Sequence, residues 1–149
     1  MVRYFLFFVL FSMGAAAQEG VAAKVYRSTE VESKPELNDG MYTLTMFISD
    51  HFKFPEIKNK KVRIFTSFII EPDGTMTDEK AFYINVDDYL PVNGEKTEEQ
   101  KVSDQLLYDD MKNEAARVLT LFNEKWIPAT LHGRPVRCLY NFPISFNIE

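Results

Sequence analysis

The chain has 149 residues, a length that fits one domain with one hydrophobic core. Its contents of 46% hydrophobic and 14% aromatic residues exclude an intrinsically disordered chain. The formal net charge is -5 and the sequence shows no basic patch, which argues against a nucleic-acid partner.

The first 17 residues have the features of a signal peptide. Arg3 gives a positive start, an apolar run extends from Tyr4 to Met13, and small residues end at Ala17. An uncleaved anchor is the alternative, but the run is shorter than the roughly 20 apolar residues that cross a bilayer. No cysteine follows it to carry a lipoprotein anchor. We therefore predict cleavage before Gln18 and an exported protein that is not embedded in a membrane.

Residues 18–36 are predicted to form an N-terminal arm that leads into a domain over 37–149. The arm is rich in charged residues and contains Pro35, and its few apolar residues are compatible with a short edge strand over Lys24 to Glu30. A first helix is predicted after Gly40, and it must end before Pro55. Its apolar stripe consists of Met41, Leu44, Phe47 and Ile48.

The apolar period changes to two from Lys61, which predicts a strand as far as Ile70. The next four residues have the chemistry of a tight reversal, since proline presets one turn residue and glycine accepts a positive φ. They are Glu71-Pro72-Asp73-Gly74. A return strand from Met76 to about Val86 completes the predicted antiparallel hairpin.

The stretch from Asp87 to Lys101 is predicted to be a long acidic loop, because it cannot bury enough apolar surface to order itself. Calcium is a weak alternative, since the loop lacks the regular ligand alternation of a calcium loop. Ser103 is the predicted N-cap of a second helix, with Asp104 in its first turn. The apolar stripe of this helix is Leu107, Met111, Ala115, Val118 and Phe122.

A final strand is predicted after a turn at Gly133. Its alternate apolar residues are Val136, Cys138, Tyr140, Phe142, Ile144, Phe146 and Ile148. This face is expected to belong to the core, together with Trp126. The order of elements predicts an α+β fold with a sheet that is antiparallel at least in part.

The titratable residues form no pattern typical of an enzyme or a metal site. Cys138 and His132 are one candidate pair of nucleophile and base, but the alternation directs Cys138 to the core, where a thiol is inert. Asp109 and Asp110 fall on the polar side of a helix. The two histidines, His51 and His132, have no ligand spacing with Cys138. We therefore predict no catalysis, no cofactor and no metal ion.

Several short motifs occur in a characteristic order. In the last quarter of the chain they are Lys125-Trp126-Ile127-Pro128-Ala129, Gly133-Arg134-Pro135-Val136 and Pro143-Ile144-Ser145-Phe146. Further upstream they are Phe54-Pro55 and Glu71-Pro72-Asp73-Gly74-Thr75. The ordered set is more specific than any of its parts. It resembles the carboxy-terminal domain of TonB-type energy transducers, in the form common in Bacteroidetes, over roughly Val25 to Ile148.

The resemblance implies a periplasmic domain with two helices packed on a three-stranded antiparallel sheet. The short edge strand of the arm, over Lys24 to Glu30, would be an addition to this sheet. It also implies capture of an extended peptide by strand addition to a sheet edge. The matching edge in this sequence is the last strand. The less apolar face of that strand carries Leu139, Asn141, Pro143 and Ser145. Pro143 removes one backbone donor from it.

The sequence shows neither the inner-membrane helix nor the proline-rich linker of an energy transducer. We therefore predict a periplasmic protein- or peptide-binding module, accessory to outer-membrane transport, that does not transduce force by itself. The expected partner is an extended segment of an outer-membrane transporter or of another envelope protein. The alternative is a structural envelope domain with no role in transport, which forms a homodimer through the same edge strand.

Overall fold

The computed structural model describes residues 23–89 and 94–149. The predicted signal peptide over 1–17 lies outside the described residues. The elements in chain order are β1 (Tyr26–Arg27), β2 (Glu36–Leu37), α1 (Met41–His51), β3 (Lys60–Ile70), β4 (Met76–Asp88), α2 (Glu98–Leu121), β5 (Trp126–Ile127), β6 (Ala129–Leu131), β7 (Arg134–Val136) and β8 (Cys138–Ile148). Neither helix in these ranges combines the length and the apolar character needed to cross a membrane.

The main sheet has four strands in the order β1-β8-β3-β4 and is curled into a half-barrel. The predicted three-stranded antiparallel sheet is therefore wrong. The fourth strand is β1, which pairs with β8 in parallel through Tyr26 opposite Cys138 and Arg27 opposite Leu139. It lies within the short edge strand expected over Lys24 to Glu30, but it is only two residues long, and its pairing with β8 is fixed by tertiary contacts.

The hydrophobic core lies between one face of the sheet and the two helices. Alternate residues of β3 and β8 point to this face because side chains alternate along a strand. The buried residues of β3 on this face are Val62, Ile64, Thr66, Phe68 and Ile70. From the helices, Leu44 and Ile48 of α1 and Met111 and Ala115 of α2 complete the core. We call the opposite side of the sheet the open face.

The second helix begins earlier than its sequence predicts. Thr97 is the N-cap, and it forms a capping box in which its side chain accepts from the Gln100 amide and the Gln100 side chain accepts from the Thr97 amide. The prediction of Ser103 as the N-cap is wrong, and so is the end of the acidic loop at Lys101. The capping box satisfies two amides reciprocally, which outweighs the absence of buried apolar residues in the first turns.

The predicted turn between β3 and β4 is confirmed, and it also contacts the segment that follows α2. The Gly74 amide donates to the Glu71 carbonyl at 2.9 Å, and Gly74 has a φ of 80°. The Gly74 carbonyl accepts from the Trp126 amide at 2.9 Å. Trp126 itself is a core residue, as predicted, with 4% of its surface exposed. This close approach of two backbones ties β5 to the hairpin.

Gly74→Ala is expected to destabilise the protein by about 3 kcal/mol, since a Cβ there has a strained backbone conformation and overlaps the Trp126 carbonyl. Gly133→Ala is the matched control. Gly133 has a φ of 70° but open space around its Cβ position, so about 1 kcal/mol is expected. The measurement is the urea midpoint of both variants. Equal losses would show that the contact with Trp126 contributes nothing.

Candidate functional site

The outer side of β8 is the predicted binding edge, and β1 covers only its first two residues. In the described residues, no strand pairs with this side of β8 from Tyr140 to Ile148, which we call the free edge. Of the predicted site residues, Leu139 lies beside Arg27 of β1. The other three, Asn141, Pro143 and Ser145, lie on the free edge and are exposed. β8 is therefore an inner strand of the sheet at Cys138 and Leu139, where β1 pairs with it, and the edge strand from Tyr140 to Ile148.

The backbone of the predicted site residues points away from β3. The Tyr26 amide donates to the Arg137 carbonyl at 2.9 Å, so the carbonyl of this residue points outward. Backbone groups alternate in direction along a strand, so the odd-numbered residues that follow share this direction. The unpaired amides and carbonyls of the free edge therefore belong to Asn141, Ser145 and Asn147, with Pro143 supplying a carbonyl alone.

Pro143 occupies a position where its missing amide does no harm to the sheet. It lies opposite Phe65, and the register between β3 and β8 is unshifted there. A proline that faced β3 would remove a bond from the ladder, whereas an outward-facing proline does not. Pro143 therefore interrupts, at one position only, what the free edge offers to a partner.

A groove runs along the free edge beneath α1 and has a volume of about 380 Å³. Its lining residues are Thr45, Ile48 and Ser49 of α1 and Phe142, Pro143, Ile144, Ser145 and Phe146 of β8. The helix follows the strand along the groove. At one end, the Tyr140 hydroxyl lies 3.6 Å from the Met41 sulfur, and at the other the rings of Phe52 and Phe146 are 4.7 Å apart. An extended chain placed here has a sheet edge beside it and a helical wall of Thr45, Ile48 and Ser49 above it.

The position of α1 is fixed at its C-terminal end by α2. Arg117 donates to the His51 carbonyl at 3.1 Å, and Glu114 accepts from the Lys53 amide at 2.9 Å. These contacts satisfy backbone groups at a helix end, and the guanidinium also complements the negative end of the helix dipole. Arg117 and Glu114 form an ion pair of 2.6 Å, and each holds the other in place. The groove wall is therefore anchored to the core.

The other edge of the sheet, on β4, differs from the free edge. Its register with β3 shifts twice, so that β4 is bulged near Asp78 and near Phe82. Asp78 has a φ of 57°, and charged side chains follow it at Glu79 and Lys80. Bulges and charges are the usual means of preventing strand addition. The eleven residues of β8, in contrast, keep one register with β3.

An ion pair lies at the N-terminal end of β8, just before the free edge begins. Arg137 donates to both carboxylate oxygens of Glu71 at 2.8 Å, and its remaining nitrogen donates to the Ala23 carbonyl at 3.0 Å. The Arg137 guanidinium, with the Thr77 hydroxyl, holds the pKa of Glu71 below its ordinary value. Arg137 thereby holds the N-terminal arm, including Tyr26, against the start of β8. No local pattern predicts this contact, since its two partners lie 66 positions apart.

The residues considered for chemistry do not converge. Cys138 is fully buried, and burial raises the pKa of its thiol. His51 and His132 lie apart, with His51 bonded to the carbonyl of its own helix residue Phe47 at 2.8 Å and His132 in a surface turn. Within residues 23–89 and 94–149, no three His, Cys, Asp or Glu side chains form a group that could hold a metal ion.

The helical wall of the groove is the part that sequence reasoning missed. Thr45 and Ser49 lie one helical turn apart on the polar side of α1, whereas the sequence pattern that predicts this helix is its apolar stripe.

No family model, no curated protein and no solved structure matches the chain.

Glu71→Gln is expected to destabilise the protein by about 1–2 kcal/mol, because the Arg137 guanidinium loses a charged partner. A depressed pKa contributes stability above the unfolded value, here 4.5, and the contribution is lost as the pH falls through the lower folded value. The difference between wild type and variant should therefore be full at neutral pH and shrink below pH 4.5. Thermal unfolding across this range measures it, and a constant difference would contradict the assignment.

Cys138 is expected to react with a thiol reagent only when the native protein opens. Both its burial and its raised pKa disfavour the thiolate that reacts. The rate in native buffer should be at least about a hundredfold below the rate in denaturant. Rapid labelling of the folded protein would show that the start of β8 is exposed.

Proposed function

We propose that this protein binds an extended polypeptide segment by adding it as a strand along the free edge of β8. The observation that carries the proposal is the combination of unpaired outward backbone groups at Asn141, Ser145 and Asn147 with the α1 groove beside them. Backbone bonds supply affinity that does not depend on sequence, at about 0.5–1.5 kcal/mol each. Side chains in the groove supply selectivity.

The alternation of β8 determines what the groove accepts. Phe142, Ile144 and Phe146 point to the helical side, so every second side chain of an added strand meets this apolar surface and Ile48 of α1. The rim of the groove is polar at Thr45. The binding segment is therefore a strand with alternate apolar residues, and each apolar side chain that is fully buried contributes about 1.5–3 kcal/mol.

The setting of this activity is the periplasm, and its partner is an extended segment of an outer-membrane transporter or of another envelope protein. Support comes from the signal-peptide features of residues 1–17 and from the ordered motifs that resemble a TonB carboxy-terminal domain. In this role the protein is a binding module accessory to outer-membrane transport. A homodimer formed by pairing two free edges is the competing use of the same surface.

The test is a pull-down of envelope proteins with the wild-type chain and with Asn141→Pro. Proline at this position removes an outward amide and leaves the ladder with β3 intact, so the variant should stay folded. Binding of an outer-membrane transporter segment is expected to weaken at least about tenfold, since one bond is lost and its neighbours are displaced.

A second pair of variants separates the groove from the edge. Ser49→Trp fills the groove from α1 and is expected to block binding, whereas Met46→Trp, on an exposed part of the same helix, should bind as the wild type does. Thermal unfolding of each variant checks the fold. Recovery of the protein alone, with concentration-dependent dimers that Asn141→Pro dissolves, would favour the structural alternative and contradict the proposed function.

A further inference from the structure

A second cleft lies on the open face of the sheet, next to the free edge, and has a volume of about 210 Å³. Its polar lining consists of Lys61 and Arg63 of β3, Asn85 and Asp87 of β4, and Ser145 and Asn147 of β8. The cleft and the α1 groove share Ser145 and Phe146 of β8, but the polar side chains of the cleft point away from the helices. An added strand would present its remaining side chains, every second one, to this side.

Arg63 is the cation of this cleft that has no carboxylate directly opposite it on either neighbouring strand. It lies between Asn85 on β4 and Ser145 on β8, and both of these neighbours are uncharged. Arg63 forms no ion pair within the part of the chain that the structure describes. Its guanidinium is thus available for a carboxylate, which it binds in a planar, bidentate way.

Lys61 is the second cation of the cleft, but its surroundings differ. It lies opposite Asp87, a carboxylate on β4, and its ammonium group is 4.9 Å from the centre of the Tyr89 ring. Asp87 also accepts a bond of 2.8 Å from Asn85. These groups draw Lys61 toward β4 and away from the free edge. Lys61 also lies opposite a β8 residue, Asn147, but only Arg63 has uncharged neighbours on both sides.

Ser145 leaves the space through which Arg63 reaches the free edge. Neighbouring strands are about 4.8 Å apart, so a strand added to β8 lies about 10 Å from β3. Arg63 on β3 and a glutamate on the added strand are each long enough to cover part of this distance. The short Ser145 side chain between them does not obstruct the meeting.

We infer that the segment added to β8 carries an acidic side chain on the open face beside Ser145, where Arg63 binds it, in addition to apolar side chains toward α1. This inference rests on the proposed strand addition and specifies its partner. The formal net charge of -5 disfavours an acidic side chain over most of the surface. An acidic side chain on the bound segment is therefore favoured beside Arg63, and this contact also fixes the register of the segment.

The test uses synthetic peptides of about nine residues, the length that matches the free edge, in which valine and threonine alternate. One threonine is replaced by glutamate at successive positions, and each peptide has a glutamine counterpart. Binding to the full chain is measured by fluorescence anisotropy at low and at high salt. At one position, the glutamate peptide is expected to bind about fivefold more tightly than its counterpart, and high salt should reduce the difference.

Arg63→Gln should abolish the preference for glutamate and leave binding of the glutamine peptide unchanged. Arg134→Gln removes the same charge from an exposed site outside the cleft, so it should keep the preference. Equal binding of glutamate and glutamine peptides at every position, with binding still lost in Asn141→Pro, overturns this inference and leaves strand addition standing. A preference that persists in Arg63→Gln also overturns it. Failure of every peptide to bind overturns both.

Discussion

The pairing of β3 with β8 is the interaction on which the rest of the structure depends. It runs in one register over the eleven residues of each strand, and it places the alternate apolar residues of both strands on one face. Both helices pack on that face, with Ile64 and Ile144 at neighbouring positions beneath them. A shift by one residue would turn every one of these side chains to solvent, so burial fixes the register strongly.

The same register determines what the outer side of β8 presents. The core residues of β8 face the helices, and the backbone groups of its even-numbered residues face β3. The backbone groups of the odd-numbered residues from Asn141 onward must therefore point outward, away from β3. Pro143 fits this arrangement because its missing amide falls on the outward side. The ends of the free edge are then set by other contacts: Arg137 holds the arm over the first residues of β8, and α1 follows the remainder. Packing and exposure are thus two consequences of one pairing.

Local patterns were sufficient for most of the fold and for part of the site. Three features were visible in the sequence: the period-two alternation of β3 and β8, the turn at Gly74 and the apolar stripes of both helices. Each depends on residues that are close together in the chain or on apolar residues at a regular spacing. The side of β8 that carries Asn141 and Ser145 followed from the same alternation.

The remaining features depend on contacts between residues far apart in the chain. The edge strand expected in the arm contains β1, but its parallel pairing with β8 depends on the bond from Tyr26 to Arg137, which no local pattern predicts. The start of α2 at Thr97 depends on a reciprocal capping box rather than on apolar periodicity, which begins later. The groove needs α1 to lie along β8, a packing relation that no stripe specifies. Arg63 and Ser145 become neighbours only through the register of two strands that are separated by residues 71–137.

The strongest argument that the free edge is functional is the contrast within one sheet. An unpaired edge invites association with any extended chain, and β4 shows that this protein has the means to prevent it, with two bulges and a run of charged side chains. The free edge of β8 has neither: its register is continuous and its outward side chains at Asn141, Pro143 and Ser145 are uncharged. Since the core constrains only the even-numbered residues of β8, a lysine or glutamate at an odd-numbered position would guard the edge without disturbing the packing. Apart from Pro143, which removes one donor, the edge carries no such protection, and it lies beside a groove, as a binding edge requires.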